Sequence, residues 1–76
     1  MGRRTPLGTA LRSLRRERGF TQVDLAEELG VTQTSVSEYE RGRVVPPVAT
    51  LRRILEVLEA DEDERGLVSS IALGGA

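Results

Sequence analysis

The 76-residue sequence contains no cysteine, no histidine, no tryptophan and no lysine, and it has one phenylalanine and one tyrosine. Without thiols or imidazoles there can be no disulfide, no zinc site built from the usual ligands, no thiolate nucleophile and no imidazole acid–base pair. With so few aromatic residues, the core must be built from Leu, Val, Ile and Ala. No apolar run approaches the roughly 20 residues that span a bilayer, and no signal-peptide-like apolar stretch follows Met1. A cytoplasmic protein with no membrane partner is therefore expected. Carboxylates are plentiful, but four of them cluster in the run Asp61-Glu62-Asp63-Glu64. No nucleophile–base pair and no glycine-rich phosphate loop accompany them, so no enzyme, metal or cofactor is expected.

The net charge of −1 hides a division. Residues 1–53 carry ten arginines against six acids, a balance of +4, and residues 54–76 carry one arginine against six acids, a balance of −5. A basic half of this kind can steer toward phosphate although the whole chain is slightly acidic. Arginine in place of lysine suits forked phosphate contacts, and a coding bias would produce the same choice. A chain of this length buries only about 60–65% of its unfolded surface, which allows one domain with a thin core.

The most informative stretch runs from Thr21 to Arg43. Phe20, Thr21, Asp24 and Leu25 write a helix start: apolar residue, hydroxyl cap, acid in the first turn, apolar partner. The same grammar recurs eleven residues later in Val31, Thr32 and Val36. Between the two, Gly30 follows Leu29, where a helix can end in the left-handed conformation that glycine adopts without strain. Two short helices joined by a turn of three or four residues form a helix-turn-helix.

Leu7, Leu11 and Leu14 fall on one face of a helix that Thr5 would cap, with Pro6 in its first turn. Val48, Leu51, Leu55 and Leu58, with Ile54, form a wide apolar stripe on another helix after Pro46-Pro47. Asp61 and Glu64 begin a last helix whose small apolar face is Leu67, Val68 and Ile71. The expected fold is all-α, a compact bundle of helices over about 6–18, 22–29, 33–41, 48–59 and 62–72. Residues 1–5 are read as a flexible tail, 6–73 as a single domain, and 74–76 as a frayed end. Arg3 and Arg4 could reach a groove as N-terminal arms do. The face at 61–73 either completes the core or meets a second copy through Leu67, Val68 and Ile71.

The residues Phe20-Thr21-Gln22, Leu25-Ala26, Leu29-Gly30-Val31-Thr32, Val36-Ser37, Tyr39-Glu40-Arg41-Gly42, Pro46 and Leu51 resemble the Cro/repressor-type helix-turn-helix family, also called lambda-repressor-like or Xre-like. The resemblance covers about Leu7 to Leu58 and implies binding to double-stranded DNA. It also implies an ion pair between Arg15 and Glu40 that ties the first helix to the third. It places the helix from Gln33 in the major groove and Gln22 beside a phosphate. Gln33, Thr34, Ser37 and Glu38 share one polar face of that helix. Gln can bond adenine through N6 and N7, Thr can meet a thymine methyl, and Glu can accept from cytosine N4, so these four are the candidate base contacts. Thr21, Gln22, Ser35, Tyr39, Arg41 and Arg43 are the candidate phosphate contacts, which position the protein and carry no sequence information.

The leading expectation is a sequence-specific transcriptional regulator, a repressor, binding a pseudo-palindromic operator as a homodimer and so associated with the nucleoid. Activation through an acidic patch touching polymerase is a variant of it. Two alternatives use the same fold: the antitoxin of a toxin–antitoxin pair, whose acidic half would cover a basic toxin, and a restriction–modification controller protein.

Overall fold

A computed structural model describes residues 5–74, with side chains to residue 72. Each of its first three helices opens on a threonine whose hydroxyl oxygen accepts from a backbone N–H one turn on. Helix α1 spans Pro6–Glu17, and Thr5 accepts from the Gly8 amide at 3.0 Å. Thr5 is thus a cap and no part of a tail. Helix α2 spans Gln22–Leu29 and starts with a complete capping box: Asp24 N–H donates to Thr21 Oγ1 at 3.0 Å, and Thr21 N–H donates to Asp24 Oδ2 at 2.9 Å. Gly30 ends α2 at φ 71°, in the left-handed region where an L side chain would be strained. Helix α3 spans Gln33–Arg41, capped by Thr32 at its start and followed by Gly42.

Helix α4 covers Val48–Val57, two residues less than the periodicity predicts. Leu58 caps it, and Glu59 turns the chain at φ 52°. Val48 is 66% exposed and is not part of the packed stripe. It stands in the first turn, ahead of the length that meets the other helices, while Pro46 is buried in its place. Helix α5 covers Glu62–Gly74, so Gly66 does not break it and Gly74 still belongs to it. Asp61 and Glu64 build a second reciprocal cap at its start, at 2.7 and 2.8 Å. The expected arm residues Arg3 and Arg4, and positions 75–76, lie outside the described residues.

Leu7, Leu11 and Leu14 of α1, Leu25 and Ala26 of α2, Val36 of α3, Ile54 and Leu55 of α4, with Leu58 and Ala60 after it, and Val68 of α5 form one core. Val68 is only 2% exposed, so of the two roles expected for this face it takes the core one and is not available to a dimer surface. Helix α5 folds back on α1, and Arg18 fixes it there with a 2.5 Å bond to Glu64. Helices α1 and α3 approach closely because residue 8 is glycine. A Cβ at Gly8 would collide with the Glu40 carbonyl oxygen and stand 2.8 Å from that of Tyr39.

Candidate nucleic-acid interface

Helix α3 buries one side and presents the other. Val36 and Glu40 face inward, while Gln33 and Thr34 are exposed and Ser37 and Glu38 half-buried. At about 100° per residue, Gln33, Thr34, Ser37, Glu38 and Arg41 share one strip. The structure brings these five together with Gln22 and Arg43 around a single shallow depression. All four candidate base contacts lie in it, with three of the candidate phosphate contacts.

Three others differ. Tyr39 lies about 160° around the helix from Arg41 and instead lines an apolar groove with Leu7, Val44 and Ile71. The structure therefore does not bring Tyr39 to the polar face. Its helical position turns it toward α5, where Ile71 lines the same groove. Thr21 Oγ1 is occupied by the Asp24 amide, so Thr21 has only its hydroxyl proton to offer a phosphate. Ser35 does not line the depression; its Oγ stands 3.1 Å from Thr32 Oγ1 and its amide donates to the same oxygen. The Asp24 carboxyl is held below its usual range by the Thr21 backbone amide, then by the Thr21 side chain. It therefore puts negative charge in the first turn of α2, where it stabilises the helix and competes with an incoming anion.

Beneath the strip, Arg15 grips Glu40 at two points: Nε donates to Oε2 at 2.6 Å and Nη2 to Oε1 at 3.1 Å. Both side chains are 10% exposed or less. Arg15 Nη1 also donates to the Phe20 carbonyl at 2.7 Å, so one guanidinium joins α1, the start of α2 and the end of α3. Gln22 Nε2 donates to Glu40 Oε1 at 3.2 Å, and Gln33 Nε2 donates to Gln22 Oε1 at 3.4 Å.

Sequence reasoning missed Arg12. It lines a second depression with Arg15, Gln22, Ser37, Glu40 and Arg41. Gln22, Ser37 and Arg41 border both depressions, which makes them one continuous band. Among the described residues no carboxylate lies within ion-pair distance of Arg12. The sequence signal was its spacing: Arg12 is one turn before Arg15 on α1 and shares the side that faces α3.

Residues 6–68 match the family described as helix-turn-helix domain. The chain is 34% identical over 55 residues to the ImmF control region 10 kDa protein of Bacillus phage phi105, covering 72% of this chain and 61% of that protein. It is 33% identical over 55 residues to the antitoxin HipB of Escherichia coli, covering 72% of this chain and 62% of HipB. The match thus spans about three fifths of the length of each relative. Among solved structures, the clp gene regulator ClgR of Corynebacterium glutamicum superposes with a TM-score of 0.74 at 37% identity, over 91% of this chain and 76% of that one.

Proposed function

Because this chain belongs to the helix-turn-helix domain family, we propose that it regulates transcription by binding a specific double-stranded DNA sequence, with α3 in the major groove. One observation carries the reading. The polar strip of Gln33, Thr34, Ser37 and Glu38 stands clear of the core and is bordered by Arg41, Arg43 and Gln22 in one concave surface. A groove-reading helix needs that arrangement, with base-edge donors and acceptors at the centre and cations at the rim. In this reading Gln33, Thr34, Ser37 and Glu38 meet bases, while Gln22, Arg12, Arg41 and Arg43 hold phosphates. The work is binding and not catalysis. The protein acts as a homodimer on two half-sites about 34–36 Å apart and represses by occupying promoter DNA in the cytoplasm.

Selecting bound oligonucleotides from a random duplex pool tests this. A single enriched motif with two-fold symmetry is expected. Recovery of an unenriched pool would reject sequence-specific binding, and a motif without symmetry would reject the dimer.

A second reading is favoured by the similarity to the antitoxin HipB. In that reading the same DNA-binding face is kept, and a toxin docks elsewhere on the chain. Co-purification of a neighbouring gene product with this protein from its own cells would favour it.

A further inference from the structure

Gly8 is buried in the first turn of α1, and the place of its missing side chain is taken by the last turn of α3. A Cβ there would overlap the Glu40 carbonyl oxygen, and it would stand 2.8 Å from the Tyr39 carbonyl oxygen and 2.9 Å from the Glu40 carbonyl carbon. These are backbone atoms of a hydrogen-bonded helix, so none can swing aside as the end of a side chain would. Carbon atoms in ordinary contact stand about 3.5–4.0 Å apart, so a methyl group at residue 8 would require α3 to give way by about 0.5 Å or more. The fit is reciprocal. Gly42, which ends α3, leaves room for the side chain of Thr5, whose methyl carbon and hydroxyl would both clash with a Cβ at that position.

Glu40 is therefore held at two places. Its carbonyl rests on Gly8 and its carboxylate on Arg15, about two turns further along α1. The backbone contact limits how near the two helices come. The buried two-point bond to the side chain opposes rolling of α3 about its own axis. Separation and roll together decide where Gln33, Thr34, Ser37 and Glu38 stand relative to the arginines that border them. A binding surface keeps its geometry only when held within about 0.5 Å, which is no more than one methyl group at residue 8 would displace it. We infer that Gly8, with Thr5 seated against Gly42, is a positioning residue for base reading: it admits the α3 backbone to the depth at which the polar strip and the rim arginines engage DNA together. The inference rests on the proposal that α3 reads bases.

The test is the ratio of affinities for the duplex selected from a random pool and for random duplex. A smaller folded fraction lowers both affinities by the same factor and cancels in the ratio; a displaced reading strip does not cancel. Gly8→Ala should lower the ratio by about ten-fold or more, the loss of one good base contact, with random binding changed by no more than about two-fold because it draws on charge alone. Thr5→Ser keeps the cap hydroxyl and removes only the methyl group against Gly42, and it should lower the ratio by about two-fold or more. Gly66→Ala makes the same chemical change on the exposed side of α5, where a Cβ would meet nothing within 4 Å, and should leave the ratio as it is. An unchanged ratio in Gly8→Ala, or in Thr5→Ser where Gly8→Ala does not fold, would overturn the inference, and so would an equal loss in Gly66→Ala. If the wild type itself does not prefer the selected duplex to random DNA, the base-reading proposal has failed and the inference falls with it.

Discussion

Arg15 and Glu40 meet in a buried two-point ion pair that joins the middle of α1 to the last turn of α3. Two charges taken out of water cost several kcal/mol each, and their attraction only offsets this where the geometry is good. Removing one partner leaves the other charge buried alone. Glu40→Ala should therefore destabilise the fold by about 3–5 kcal/mol in urea unfolding. Replacing both residues with apolar ones of similar size, Arg15→Met with Glu40→Leu, should cost clearly less than the single change. A double variant as unstable as the single one would show that the pair contributes net stability and not orientation alone.

The capping box of α2 gives stability a dependence on pH. The Thr21 amide and hydroxyl lower the Asp24 carboxyl from its ordinary value, so the folded protein binds that proton less readily than the unfolded chain. The contribution is complete above the ordinary aspartate range near about 4 and is lost as pH falls through the lowered folded value. The difference in melting temperature between wild type and Asp24→Ala should be constant at neutral pH and should shrink below about pH 4. A difference that grows on acidification would contradict the assigned sign.

The features that could be read from the sequence are those whose causes are local. Thr21, Thr32, Gly30 and Asp61 announce helix ends because a cap or a left-handed residue acts within one turn of itself, and all four lie where the grammar predicts. The polar strip of α3 was legible for the same reason, since its period is that of a single helix. Val48 and Tyr39 were misplaced, and the role of Val68 was left open, because periodicity gives a stripe but not the length over which a neighbour covers it. Val48 runs past the end of the packed region, whereas Val68 is covered by α1. The spacing of Arg12 from Arg15 was a signal, but Arg18 has the same spacing, so it did not by itself single out Arg12. Only the crossing of α1 over α3 sets it beside Gln22 and Arg41.

With Val68 in the core, any dimerisation through α5 would rest on its outer residues. Leu67 is 60% exposed and Ile71 is half-buried. Truncation before Asp61 would remove Val68 from the core and break the Arg18–Glu64 bond, so its effect on the monomer could not be separated from its effect on an interface. Leu67→Glu changes the surface alone. If α5 mates with a second copy, this variant should sediment as a monomer at concentrations where wild type is dimeric, with an unchanged melting temperature for the isolated chain. An unchanged sedimentation coefficient would move the interface to another face, such as the apolar groove beside Val44 and Ile71.

Arg12 and Arg41 border the same depression from α1 and α3, and neither has a carboxylate partner among the described residues. A guanidinium that neutralises a phosphate releases condensed counterions, so each such contact adds roughly 0.9 to the salt dependence of duplex binding. Arg12→Ala and Arg41→Ala should each flatten the plot of log affinity against log salt by about one unit. Both should weaken specific and random DNA alike, because phosphate contacts carry no sequence information. Arg16, exposed on α1 and outside the depression, is the control: Arg16→Ala should alter the slope by much less. Equal slopes for all three variants would mean that α1 contributes only a diffuse positive field. A distinct loss at Arg12 would extend the DNA-binding face beyond the two helices of the motif to the first.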